Sequence, residues 1–121
     1  MAKRILVVDD DEMVLIALEE LLRPEGYEVC TFTRGKEALE NLDQETYDLL
    51  ILDVIMPEMD GIELCKRIRE KEGYGEKPIV FLTAKSREED MVQCIEAGAN
   101  LSLSKPISPD KLLDIISDTL G

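Results

Sequence analysis

The stretch YDLLILDVIMPEMDG, Tyr47 to Gly61, carries an apolar run straight into a carboxylate, Asp53. An ionised acid at the edge of an apolar interior is costly unless something pairs with it, so Asp53 either has a structural partner or does chemistry. Comparable positions hold a complementary set of groups. ILVVDDD puts Asp9 and Asp10 after an apolar run, FLTA puts Thr83 after another, and LSLSKP puts Lys105 after a third. Singly, each has an ordinary explanation: Asp10 or Asp11 as a helix N-cap, Thr83 as a strand-end hydroxyl, Lys105 as a solvated charge that blunts an edge strand. Those explanations do not say why one set of groups recurs at the strand ends. Three carboxylates brought together repel one another and take up protons unless a cation is present. Oxygen ligands with no His or Cys nearby favour a hard ion, and a small carboxylate set that leaves room for water and phosphate oxygens suits Mg²⁺ better than a Ca²⁺ cage. Lys105 and Thr83 add a positive charge and a hydroxyl donor facing an anion, for which the natural candidate is a phosphoryl group.

The elements that must position these groups follow from hydrophobic patterning. Strands are expected at 4–8, 27–32, 47–52, 78–82 and 101–104, with helical spacing between them: Val14, Leu18, Leu21 and Leu22; Leu64, Cys65 and Ile68; Met91, Cys94 and Ile95; Leu112, Leu113 and Ile116. A shorter helix carries Ala38, Leu39 and Leu42. Helix starts are marked by Asp60 with Glu63, by Ser86 with Glu89, and by Ser108 followed by Pro109; Gly26 and Gly98 mark helix ends. The segment 71–78, KEGYGEKP, reads as a surface loop.

Strict βα alternation predicts a parallel sheet covered by helices on both faces. The first, third and fourth strands are nearly continuous apolar runs, as central strands are, while YEVCTF and LSLS alternate with polar residues as edge strands can. The expected architecture is an α/β three-layer sandwich of the flavodoxin-like (βα)5 kind, sheet order 2-1-3-4-5, with its crevice at the carboxyl ends of strands one and three. Asp9, Asp10 and Asp53 sit there.

The chain of 121 residues is expected to form one domain, 1–121, without disulfide or metal staples. Its net charge of -13 gives no basic footprint for nucleic acid and is repelled by anionic membranes, so neither direct nucleic-acid binding nor membrane association is expected. Cys30, Cys65 and Cys94 match neither a zinc pattern nor an even disulfide framework and read as reduced thiols, which suits the cytoplasm. With no histidine in the chain, histidine-based catalysis and ligation by this chain are excluded.

ILVVDDD, LLILDVIMPEMDG, FLTA and GANLSLSKP together resemble the receiver domain of two-component response regulators, and the likeness spans the chain. The resemblance implies that Asp53 accepts a phosphoryl group from a sensor histidine kinase or phosphotransfer protein. It implies Mg²⁺ held by Asp10, Asp53 and the backbone carbonyl of Ile55, with Asp9 acting largely through water. It further implies that Thr83 and Lys105 contact the phosphoryl group, that the Lys105–Pro106 peptide is cis, and that a conformational switch controls a downstream effector or output domain. The domain would catalyse its own Mg²⁺-dependent phosphorylation and dephosphorylation, with no external substrate to turn over. Two positions that tune phosphoryl lifetime in the family fall on Ile55 and Lys85, and the customary aromatic of the fifth strand falls on Ser102. A phosphatase similar to the haloacid dehalogenases would need an acid at Ile55, and a flavodoxin-like cofactor binder would need a Gly/Ser/Thr-rich loop where Asp9 and Asp10 stand. A receiver fold kept only as an interaction module would not need Asp53, Thr83 and Lys105 together.

Overall fold

The computed structural model describes residues 2–121. Strands β1 (Arg4–Val8), β2 (Glu28–Phe32), β3 (Leu49–Leu52), β4 (Ile79–Thr83) and β5 (Leu101–Ser104) alternate with helices α1 (Glu12–Leu22), α2 (Gly35–Leu42), α3 (Gly61–Glu70), α4 (Glu88–Glu96) and α5 (Pro109–Leu120). A short 3₁₀ turn, Arg23–Glu25, extends α1 and ends at Gly26, whose φ of 94° is the left-handed conformation glycine adopts without steric cost. All pairings are parallel and the sheet order is β2-β1-β3-β4-β5. The apolar runs are central and the alternating strands are the edges, as their compositions require.

Strand alternation splits the core into two. Leu6 and Val8, Leu50 and Leu52, and Ile79 and Phe81 face a layer built from α2, α3 and α4. Ile5 and Val7, Leu49 and Ile51, and Val80 and Leu82 face α1 and α5. Burial on both faces is why the central strands carry polar residues only at their ends, Arg4 at the start of β1 and Thr83 at the close of β4. In α1 the buried stripe is Leu15, Leu18 and Leu22, with Val14 and Leu21 half-buried beside it. In α4 only Cys94 is buried, and Ile95 lies nearly half exposed.

The helix caps follow local chemistry. Asp11 accepts the Met13 N–H, Asp60 the Glu63 N–H, and Ser108 the Lys111 N–H. Expectation and structure part at α4. Ser86 is not its cap: the helix begins at Glu88, and the Asp90 carboxylate accepts the Arg87 N–H at 3.3 Å. Asp90 turns inward and Glu89 out to solvent, so the later acid closes the turn. The loop 71–78 also departs from a plain surface loop. Tyr74 is buried, with its hydroxyl accepting the Tyr47 N–H and donating to the Glu45 carbonyl. Arg69 ties this loop to the turn after α4, donating to the carbonyls of Tyr74, Lys77 and Gly98 and to Asn100 Oδ1. No helix among the described residues is long and apolar enough to cross a membrane.

Candidate functional site

The carboxyl ends of β1, β3 and β5 converge on one charged cluster. Asp9 and Asp53 each follow a central strand by one residue and are buried, whereas Asp10 is exposed at the rim. Carboxylate oxygens of Asp9, Asp10 and Asp53 lie within 4.8 Å of one another. Lys105, one residue past β5, reaches across β4 to bridge two of them, with Nζ 2.8 Å from Asp9 Oδ2 and 3.1 Å from Asp53 Oδ2. Side-chain parity explains the convergence: Asp9, Asp53 and Lys105 continue the alternation of Ile5 and Val7, Leu49 and Ile51, and Leu103, all on the α1/α5 side.

Backbone donors fix both buried acids. Asp9 Oδ1 accepts the Asp11 N–H at 2.9 Å, and Asp53 Oδ1 accepts the Val54 N–H at 2.7 Å. Asp53 is further held by its own N–H, which donates to Val8 O at 3.0 Å. Burial pushes the Asp9 carboxyl above the usual carboxylate range; the Lys105 ammonium and the Asp11 amide hold it down, and the negative charge of Asp53 pushes it up again. Burial works to lower the Lys105 ammonium, but its hydrogen bonds to Asp9 and Asp53 and the negative charges of both together leave it above its ordinary value. Two buried acids sharing one lysine, with a third acid at the rim, carry more negative charge than their cation offsets.

Thr83 ends β4 and is buried. It follows Ile79 and Phe81 in parity, so it belongs to the α4 side of the sheet, opposite to Lys105. Backbone and side chain tie it to both neighbours: its carbonyl accepts the Lys105 N–H at 2.9 Å, and its Oγ1 accepts the Lys85 N–H at 3.1 Å. Ile55 lies in the loop between β3 and α3 and is 58% exposed. The Lys105–Pro106 peptide is cis.

Ser102 stands on the α4 side as the register partner of Phe81. Its Oγ is buried without a hydrogen-bond partner, and it lines a cavity of about 460 Å³ together with Met91, Leu103, Ile107 and Lys111. One residue escaped the sequence analysis: Gly61, the first residue of α3. A Cβ there would lie 1.9 Å from the Asp53 carbonyl oxygen and 2.9 Å from the Phe81 ring. Only its type could have signalled this, a glycine at a helix start where it has no conformational advantage.

The fold and the site define a class: a doubly wound α/β domain with an acidic, lysine-bridged crevice at the carboxyl edge of its central strands. Residues 5–117 match the family model of the response regulator receiver domain, and the chain belongs to that family. It is a receiver domain of the two-component response regulators. It is 45% identical over 109 residues to the alkaline phosphatase synthesis transcriptional regulatory protein PhoP of Bacillus subtilis, a match covering 90% of this chain and 45% of that protein. The chain spans about half the length of the curated relatives it matches. Among solved structures, the chemotaxis protein CheY4 of Vibrio cholerae superposes with a TM-score of 0.94 at 33% identity, covering 99% of this chain and 100% of that one. The receiver domain of the sensor histidine kinase PA1611 of Pseudomonas aeruginosa, solved with a magnesium ion coordinated in its active site cleft, superposes with a TM-score of 0.91 at 30% identity, covering 100% and 99%.

Proposed function

We propose that residues 1–121 act as a single phosphoacceptor domain that receives a phosphoryl group on Asp53 from the phosphohistidine of a sensor kinase or phosphotransfer protein. The observation that carries this reading is the Lys105 ammonium, which reaches past β4 to contact both Asp9 and Asp53. A lysine whose only task was to neutralise one buried acid would not need a cluster of three acids around it.

The donor set fits a divalent cation. It is made of carboxylate oxygens close enough to share one ion, it carries excess negative charge, and no softer ligand belongs to it. Asp10, Asp53 and the carbonyl of Ile55 would hold Mg²⁺, with Asp9 contributing through water. When bound, the ion offsets negative charge on the transferring phosphoryl oxygens.

The chain's own residues do the rest. A carboxylate oxygen of Asp53 forms the bond to phosphorus as the bond from phosphorus to the imidazole nitrogen of the donor breaks, and the donor leaves as neutral histidine once that nitrogen has been protonated. Asp53 suits the task because Val54, Val8 and the end of β3 fix its position, so little reorganisation accompanies attack. Lys105 transfers its contact from the carboxylate to a phosphoryl oxygen, following the charge as it moves. The Thr83 hydroxyl already accepts from Lys85, which leaves its proton free to donate to another phosphoryl oxygen. Water passing Ile55 then attacks phosphorus as the bond from phosphorus to the Asp53 oxygen breaks, releasing inorganic phosphate and returning Asp53 to its carboxylate.

The modified domain signals to an effector protein or output domain through the face of α4, β5 and α5. Thr83 leads directly into the loop before α4, and movement of its hydroxyl moves that loop. Ser102 is too small to act as a swinging apolar plug, so packing of Met91, Ile95 and Leu103 sets the two positions. The domain works in the cytoplasm without contacting nucleic acid or membrane itself. Incubation with acetyl phosphate and Mg²⁺, read by intact mass, tests the reading. The parent should gain one phosphoryl group and Asp53→Asn none; undiminished labelling of Asp53→Asn at any residue other than a neighbour of Asp53 overturns the assignment.

A further inference from the structure

Lys85 stands two residues beyond Thr83, at the start of the loop into α4, and its ammonium is paired with Asp90 rather than with an acid of the carboxylate cluster. Its Nζ lies 3.7 Å from Asp90 Oδ1, pairing a half-exposed lysine with a nearly buried aspartate. The other oxygen of Asp90 accepts the Arg87 N–H at the head of α4, and the backbone N–H of Lys85 donates to Thr83 Oγ1. Lys85 therefore touches both the site's hydroxyl and, through Asp90, the first turn of α4.

The geometry points to Asp90 as a positioning residue for phosphoryl binding: it holds the Lys85 ammonium off the anion site in the unmodified domain and releases it when a phosphoryl group arrives. This rests on the proposed role of Asp53 as acceptor. A pair 3.7 Å apart whose lysine is half exposed contributes little, so it exchanges readily for a closer contact with a doubly charged phosphoryl group. The backbone hydrogen bond from Lys85 to Thr83 keeps the lysine stem at the rim while its head changes partner. Exchange leaves Asp90 attached to Arg87 but parted from Lys85, which changes the charge balance on the first turn of α4. By reciprocity, whatever the pair costs anion binding is what anion binding costs the pair.

The test is the Mg²⁺-dependent affinity for beryllofluoride, measured by calorimetry for the parent, Asp90→Asn, Lys85→Met and the double variant. Asparagine keeps an acceptor for the Arg87 N–H and removes only the charge; Asp90→Ser, which also retains an acceptor, repeats the measurement if the first variant melts early. Asp90→Asn should bind about threefold more tightly than the parent. Lys85→Met should bind more weakly, and the double variant should match Lys85→Met. A double variant that still gains the full factor shows a general loss of negative charge and overturns the proposal, as does no gain in Asp90→Asn. Should the parent fail to bind beryllofluoride, or bind it equally well as Asp53→Asn, the acceptor assignment falls and this inference falls with it.

Discussion

Gly61→Ala is the substitution for which the structure gives the largest magnitude from a single methyl group. The added Cβ would sit 1.9 Å from the Asp53 carbonyl oxygen, 2.8 Å from its carbonyl carbon and 2.9 Å from Phe81 Cε1. An ordinary carbon-to-oxygen contact is about 3.3 Å, so something must move by about 1.4 Å. None of the candidates moves freely. The Asp53 backbone is hydrogen-bonded to Val8, Gly61 N–H donates to Val54 O at 2.8 Å, and Phe81 is fully buried. Overpacking against fixed backbone places the cost at about 3–5 kcal/mol, a large part of the roughly 5–15 kcal/mol that holds such a domain folded. Urea unfolding followed by far-UV circular dichroism measures it, with a drop in melting temperature of roughly 10–20 °C as the companion reading. Gly75→Ala serves as the control, because nothing lies within 4 Å of a Cβ there; it should change stability by less than about 0.5 kcal/mol. Because the clash falls on Asp53 itself, the residual folded Gly61→Ala protein should also label poorly with acetyl phosphate. A loss below about 1 kcal/mol with normal labelling would refute the packing argument.

Asp9→Asn removes one of the repelling acids while keeping an acceptor for the Asp11 N–H, so in chelator it should raise the melting point, and added Mg²⁺ should stabilise it less than the parent; thermal melts with and without Mg²⁺ check both. Arg69→Met strips the donors that join the 71–78 loop to the turn after α4, and urea unfolding should show a loss of about 2–4 kcal/mol with little change in Mg²⁺ affinity. In thiol titration of the native protein, half-buried Cys30 should react first. Cys65 should stay silent until unfolding, because burial pushes its thiol up to about 11 and encloses it.

What could be read in the sequence was whatever a strand states about itself. Apolar runs named the central strands, alternation named the edges, and the sheet order carried Asp9, Asp53 and Lys105 to one crevice. Asp60 and Ser108 declared their caps by spacing alone. The misread places depend on which of two similar neighbours turns inward or on contacts with distant parts of the chain. Glu89 and Asp90 are both acids in the first turn of α4, and only packing decides that Asp90 closes it. Tyr74 lies in a Gly-, Glu- and Lys-rich stretch that reads as solvent-exposed, yet its ring is buried and its hydroxyl serves Tyr47 and Glu45, far away in sequence. Gly61 looks like a neutral helix start because the obstacle, the Asp53 carbonyl, comes from another element.

The two core layers also give the proposed reaction its division of labour. Asp9, Asp53 and Lys105 share the parity of the α1/α5 side, so the charges proposed to bind and neutralise the phosphoryl group all lie on one face of the sheet. Thr83 has the opposite parity and opens toward α4, whose burial rests on Cys94 and whose neighbour β5 offers Ser102 and a cavity. A hydroxyl drawn toward Asp53 thus pulls on the α-helix with the fewest buried side chains, α4. An aromatic residue at position 102 would fill that cavity and stiffen the same layer; with serine there, the proposed switch would rest on the sparse packing of α4 itself.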